Sequence, residues 1–154
     1  MSTENNAVIY NKVALIGLGL IAGSMALAMR RAGLAGQIVG TAKSAETRAL
    51  AAEIGLCDSI VDTPAEAVRD ADLVVLCVPI GAMAAVAEQI ADNLKPGATV
   101  TDVGSVKGAV ITEVGPHIPE GVHFIPGHPL AGTEHSGPRA GFAELFDNRW
   151  TLLT

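Results

Sequence analysis

Residues 13–24 read Val13-Ala14-Leu15-Ile16-Gly17-Leu18-Gly19-Leu20-Ile21-Ala22-Gly23-Ser24. An apolar run of the buried-strand kind comes first, two glycines follow, and a helix-like pattern starts at once. A strand, a glycine turn and a helix in that order form a cradle for the pyrophosphate of a dinucleotide. Gly17 permits the tight turn. Gly19 has no side chain, so backbone can approach the phosphates. Ala22 takes the third fingerprint position and Gly23 follows; both are small enough for the helix to pack closely on the strand. The helix start offers unpaired N–H groups and a positive dipole end to an anion. Glycine turns alone also serve structural purposes; the strand before and the helix after make this one a nucleotide signal. On this reading Gly17, Leu18, Gly19, Leu20 and Ile21 bind the cofactor.

Composition narrows the field around that motif. The chain has 154 residues, enough for one domain with a real core. It is 49% hydrophobic but only 3% aromatic, so the core is built from Ala, Val, Leu and Ile, as parallel strands covered by helices require. A net charge of −6 argues against nucleic acid or an anionic membrane as partner. No apolar stretch approaches the roughly 18–20 residues of a membrane span. Residues 1–11 are polar, lack a secretion signal and are expected to form a flexible tail, with the dinucleotide-binding domain over 12–154. Cys57 and Cys77 make no metal or redox spacing, and Cys77 reads as a small core residue. No metal site is expected, and a reducing cytoplasm fits.

Taken in order, the chain alternates strand and helix signals. Strands are expected over 12–16, 37–41, 59–61, 72–78, 98–102, 122–125 and 149–153, and helices over 21–31, 45–54, 64–70, 82–94, 106–114 and 140–145. Ser44 and Thr63 stand as N-caps, with Pro64 in a first turn. Met83 reads as core. The alternation predicts an α/β fold with a doubly wound, mostly parallel sheet of the Rossmann type.

The end of the second strand bears on NAD against NADP. An acidic side chain there bonds the adenosine ribose and repels a 2′-phosphate. Here the sequence is Gly40-Thr41-Ala42-Lys43-Ser44, with Ala42 where an acid is expected. Lys43 and Ser44 either meet a 2′-phosphate or serve only as a solvated charge and a helix cap. The cofactor is NAD or NADP, with the local chemistry leaning to NADP or relaxed preference. Val78, Pro79 and Ile80, after the 72–78 strand, are expected to wall the cofactor.

Two later stretches fall at C-terminal strand ends, where open α/β sheets place ligands. One is Thr101-Asp102-Val103-Gly104-Ser105-Val106-Lys107; the other is Pro126-Gly127-His128-Pro129-Leu130-Ala131-Gly132-Thr133-Glu134-His135-Ser136-Gly137. A generic nucleotide domain has no need of the second. A histidine framed by Gly127 and Pro129 at such an edge suits a general base for an alcohol being oxidised. His117 and His123 lack such framing and read as structural or exposed; His135 stays undecided. Lys107 reads as a solvated lysine rather than a carboxylate binder.

From Lys12 onward the sequence resembles the prephenate dehydrogenase family, with its arogenate and cyclohexadienyl members. The resemblance rests on Gly17-Leu18-Gly19-Leu20-Ile21-Ala22-Gly23-Ser24, Cys77-Val78-Pro79, Asp102-Val103-Gly104-Ser105-Val106-Lys107 and Gly127-His128-Pro129-Leu130-Ala131-Gly132-Thr133-Glu134. The family usually has Gly where Ala22 stands. The resemblance implies hydride transfer from prephenate or arogenate to NAD or NADP with loss of CO2, a step of tyrosine biosynthesis. It implies that His128 takes up the ring-hydroxyl proton and that Ser105 bonds the same hydroxyl and orients the histidine. Gly104 joins the cofactor set, and Thr133 and Glu134 match residues near the substrate entrance; Glu134 either pairs with a cation across the cleft or is a solvated charge.

The family's enzymes carry a second, helical domain that forms a homodimer and supplies cations for the substrate carboxylates. No such region follows Trp150, so the chain is expected to be an N-terminal portion that binds dinucleotide without appreciable turnover. Its apolar surface favours self-association. Prephenate against arogenate, and tyrosine feedback, stay open. Two rivals remain: a different dehydrogenase of the hydroxy-acid or imine type, which leaves the Gly127–Glu134 stretch unexplained, and a non-catalytic dinucleotide sensor.

Overall fold

The computed structural model describes residues 7–133 and 135–154. Six strands, β1 (Tyr10–Ile16), β2 (Ala35–Thr41), β3 (Ser59–Ile60), β4 (Leu73–Leu76), β5 (Thr99–Asp102) and β6 (His123–Phe124), make one sheet in the order β3-β2-β1-β4-β5-β6. Every neighbouring pair is parallel. The helices are α1 (Leu20–Ala32), α2 (Ala45–Glu53), α3 (Pro64–Ala67), α4 (Ile80–Ile90) and α5 (Lys107–Val114). The doubly wound expectation is met. Winding runs outward from β1 through β3, then restarts at β4, which opens a crevice at the C-terminal ends of β1 and β4.

Two-residue periodicity sorts each strand between two cores. Val13 and Leu15 pack with Ile38, Val75 and the small inner residues Ala22, Ala26 and Ala51 of α1 and α2. Ala14 and Ile16 pack with Val74, Leu76 and Val100 against α3, α4 and α5. Each fully buried Val, Leu or Ile contributes about 1.5–3 kcal/mol. Met83 is fully buried, as the sequence implies. Burial pushes the Cys57 thiol up to about 11 and the Cys77 thiol up to about 12, so both stay protonated at neutral pH. Ser44 Oγ accepts from Thr47 N at 3.3 Å and Thr63 Oγ1 from Glu66 N at 3.2 Å, the two caps expected. At the opposite end from the crevice, the Asp72 carboxylate accepts from Lys95 Nζ and from Lys12 N. Those bonds, that from Lys95 foremost, hold it below the usual carboxylate range.

Several boundaries differ from the sequence reading. β1 begins at Tyr10, so two residues assigned to the tail belong to the sheet. α4 opens at Ile80 with Pro79 as N-cap, and its last turn becomes a 3-10 turn over Ala91–Asn93. The helix expected over 140–145 is absent; one 3-10 turn, Pro138–Ala140, stands there instead. Contacts with α1 override local propensity. A Cβ on Gly141 would lie 2.8 Å from the Gly23 carbonyl carbon, Phe142 N donates to Ser24 Oγ at 3.1 Å, and Arg31 pairs with Asp147 at 3.1 Å. This also corrects the role of Gly23. Ala22 and Ala26 face the sheet; Gly23, one helical step away, admits the 138–141 backbone.

The final strand is also redirected. β8 (Thr151–Leu153) does not join the main sheet; it pairs antiparallel with β7 (Gly127–Pro129), a stretch for which the sequence predicts no strand. Trp150, Leu152 and Leu153 remain exposed. Among the described residues no helix is long and apolar enough to cross a membrane.

Candidate functional site

The crevice is built from the residues that follow β1, β4 and β5. Gly17 turns at φ 96°, in the left-handed region that favours glycine. A Cβ there would meet the Cys77 carbonyl carbon and oxygen at 2.9 Å and Val78 N at 3.0 Å, so the turn lies directly against the end of β4. Leu18 is buried and packs into the α1–α2 core, leaving only its backbone for a ligand. Gly19 is the N-cap of α1 and provides no side-chain cap. The first bond of the helix runs from Gly23 N to Gly19 O at 2.9 Å, so the N–H groups of Leu20, Ile21 and Ala22 precede the hydrogen-bonded turns. A Cβ added to Gly19 would meet nothing within 4 Å. An uncapped helix start beneath an open glycine is what a pyrophosphate needs, so these residues fit the dinucleotide that the sequence implies. Gly104 and Ile80 close the other side: a Cβ on Gly104 would lie 3.2 Å from Ile80 Cγ1. Val78 and Ile80 are half-buried and Pro79 is exposed.

At the end of β2, Ala42 is half-buried and Lys43 and Ser44 are exposed. Ser44 is engaged as the cap of α2. Sequence reasoning missed Arg48, whose guanidinium donates to Ala42 O at 2.7 Å and Lys43 O at 3.1 Å and pairs with Asp62 at 3.6 Å. It fixes the loop that follows β2. The available signal was its place four residues after the Ser44 cap. Thr41 Oγ1, at the end of β2, is buried without a hydrogen-bond partner among the described residues. Its backbone oxygen accepts from Gly17 N at 2.9 Å, so an unused polar atom sits beside the glycine turn.

The second half of the site lies at the ends of β5 and β6. Asp102, the last residue of β5, has a fully buried side chain. Its Oδ2 accepts from Gly104 N at 2.8 Å and from Lys107 Nζ, and its Oδ1 accepts from Gly127 N at 3.2 Å. Lys107 Nζ also donates to Gly127 O at 2.6 Å. The Lys107 side chain is only 14% exposed, which corrects its reading as a solvated lysine; its partner stands five residues earlier and its second acceptor 20 residues later. Ser105 is exposed on the loop between Asp102 and Lys107, and His128 follows Gly127 in β7, half-buried. Neither has a side-chain hydrogen bond among the described residues. The structure thus joins the loop carrying Ser105 and the strand carrying His128 through Asp102 and Lys107, residues to which the sequence assigned no such part.

The remaining assignments are more dispersed. Thr133 is exposed, and its Oγ1 accepts from His135 N at 3.1 Å. Glu134 lies outside the described residues. His123 is exposed in β6, and His117 is half-buried in a 3-10 turn. An apolar cavity of about 400 Å3, lined by Met25, Met29, Leu73, Val75, Pro129 and Phe146 among others, lies on the α1 face of the sheet and includes no residue of the glycine turn.

Comparison with known proteins agrees with this arrangement. The family model described as prephenate dehydrogenase, nucleotide-binding domain, matches residues 25–154. A cyclohexadienyl dehydrogenase of Zymomonas mobilis is 42% identical over 146 residues, covering 95% of this chain and 50% of that protein. The chain spans about half, or less, of the length of the curated relatives it matches. Among solved structures, a prephenate dehydrogenase from A. aeolicus in complex with hydroxyphenyl propionate and NAD+ superposes with TM-score 0.86 at 30% identity, over 96% of this chain and 51% of that one. A Synechocystis arogenate dehydrogenase superposes with TM-score 0.83 at 34% identity, over 93% of this chain and 49% of that one. A glycine turn at the switch point of a parallel sheet, with Ser105 and His128 beyond the ends of β5 and β6, accords with those matches: the chain belongs to the prephenate dehydrogenase family and corresponds to its nucleotide-binding domain.

Proposed function

We propose that this chain forms the cofactor-binding part of a dehydrogenase that oxidises and decarboxylates prephenate or arogenate in the route to tyrosine. The observation that carries the reading is His128, anchored through Gly127 to the end of β5 beside the loop that bears Ser105. Bound NAD or NADP supplies the hydride acceptor. Gly17, Gly19 and the first N–H groups of α1 hold the pyrophosphate, and Val78, Pro79, Ile80 and Gly104 wall the nicotinamide side. His128 accepts the proton of the ring hydroxyl, which raises electron density at the carbon that loses hydride. Ser105 hydrogen-bonds the same hydroxyl and keeps it against the imidazole. Loss of CO2 makes the ring aromatic and drives the step. Thr133 and Glu134 stand toward the substrate entrance. The substrate carboxylates are met outside residues 1–154, in a helical region that also forms a homodimer.

The test is an assay of reduced-cofactor formation by the full-length gene product, with prephenate and arogenate, each with NAD and NADP. One productive pair is expected. Residues 1–154 alone are expected to bind dinucleotide without measurable turnover. Absence of turnover by the full-length protein with all four pairs, while dinucleotide still binds, overturns the enzyme reading.

We further infer that NADP is accepted. No carboxylate stands at the end of β2, and Arg48 holds the carbonyls of Ala42 and Lys43 so that the exposed Lys43 is available to a 2′-phosphate. Ala42→Asp is expected to lower NADP affinity relative to NAD by about tenfold or more, since repulsion of about 1.4 kcal/mol suffices for that ratio. Titration of both cofactors reads it; an unchanged ratio places the preference elsewhere.

A further inference from the structure

We propose that Asp102 and Lys107 are positioning residues for His128, acting as a buried clasp on both polar groups of Gly127; this rests on the assignment of His128 as the base. Two bonds converge on one residue. Asp102 Oδ1 accepts the Gly127 N–H at 3.2 Å, and Lys107 Nζ donates to the Gly127 carbonyl at 2.6 Å. The two clasping side chains pair with each other and are almost completely withdrawn from solvent. The same carboxylate accepts Gly104 N at 2.8 Å, one residue before Ser105. One carboxylate therefore sets the backbone next to both groups that meet the substrate hydroxyl.

Local chain geometry explains why a clasp is needed here. The parallel ladder of β6 ends with Ile125 N donating to Val100 O at 2.9 Å. Beyond it the chain leaves the sheet. β7 pairs with β8, and β8 is exposed along its length. His128 thus stands on a three-residue strand whose antiparallel partner is itself a surface strand. The Asp102–Lys107 pair ties that strand back to the rigid end of β5. Gly127 is the residue that allows it: a Cβ there would lie 3.2 Å from Asp102 O and 3.3 Å from Thr101 Oγ1. A buried ion pair is a poor way to gain stability, because desolvation offsets most of its attraction. What it supplies is direction. Lysine's compact ammonium carries three donors and here reaches a carboxylate and a carbonyl together. It also leaves Lys107 committed to the protein rather than to a substrate carboxylate.

The test compares wild type, Lys107→Met, His128→Asn and the double variant of the full-length protein. Lys107→Met is expected to lower kcat by about 100-fold, the scale for a misplacement near 1 Å. Substrate KM and dinucleotide Kd stay within about twofold, because no contact to either ligand is removed. In the His128→Asn background the same change costs almost nothing further, since both act through one imidazole. A merely structural lysine would leave that coupling at zero. If Lys107→Met does not fold, Lys107→Arg, which keeps the charge but misplaces the donor, replaces it with the same expectations. A raised KM with unchanged kcat, or losses that multiply in the double variant, overturns the clasp. A readout free of substrate separates this from failure of the enzyme reading. The Gly127 amide is expected to lose protection from hydrogen exchange in the variant, and the His128 imidazole resonances to shift, while β1 and β2 amides stay unchanged. Unaltered exchange and resonances overturn the proposal whatever the enzyme turns over.

Discussion

His128→Asn is expected to lower kcat by about 10²–10⁴-fold, the usual contribution of a general base, with dinucleotide affinity unchanged. The separation follows from position. The cofactor cradle is built on β1, α1 and the end of β4, whereas His128 belongs to the β7–β8 ribbon and reaches the main sheet through Gly127. Asn keeps a polar group of similar reach but cannot take up a proton at neutral pH. The backbone of β7 is secured at Gly127 and by the β8 ladder, so the substitution leaves the strand in place. Steady-state kinetics on the full-length protein and a fluorescence titration with reduced cofactor read the two quantities. A rate within threefold of wild type removes His128 from the chemistry. A parallel loss of cofactor affinity makes it a binding residue.

The second large effect comes from one added methyl at either of two neighbouring glycines, with opposite consequences. Gly17→Ala places a Cβ 2.9 Å from the Cys77 carbonyl at φ 96°. The left-handed backbone costs about 1–2 kcal/mol, and forcing an atom into packed backbone costs about 1–3 kcal/mol more. For a domain of this size the sum lowers Tm by roughly 5–15 °C. Gly19→Ala meets nothing within 4 Å, and its φ of −113° suits any residue. Its Tm should stay within about 4 °C of wild type, since the methyl meets no atom and the poorer N-cap costs at most about 1 kcal/mol. Its dinucleotide affinity should fall about 10- to 100-fold, because the methyl fills the space the phosphates need and one charge-assisted bond of about 1.5–3 kcal/mol is lost. Thermal melts with and without cofactor separate the cases. Equal Tm losses in both variants contradict the geometry; full cofactor affinity in Gly19→Ala removes the pyrophosphate from that turn.

Much of this architecture is legible along the chain because its causes are local. An apolar run ending in Gly17-Leu18-Gly19, with small residues after it, admits few conformations other than strand, turn and helix. Ser44 and Thr63 announce the starts of α2 and α3 by chemistry that acts within three residues. The region after His128 was less legible. Residues 140–145 carry helical propensity, yet Gly141 and Phe142 are captured by Gly23 and Ser24 of α1, more than a hundred residues earlier. The 149–153 strand signal was correct in kind but silent about its partner. Arg48 reads as one more helix-surface cation until its two carbonyl acceptors are seen.

The sequence by itself determined the alternation of strands and helices as far as β6, the doubly wound sheet and the glycine turn. Those follow from period, capping and turn chemistry, each acting over a few residues. Tertiary structure alone decided that β7 and β8 form a separate ribbon, that Gly23 faces the 138–141 backbone, and that Lys107 is buried between Asp102 and Gly127. A lysine's state depends on which carboxylate and which carbonyl reach it. Gly127 lies 20 residues from Lys107, on a different strand, and no local pattern records that meeting.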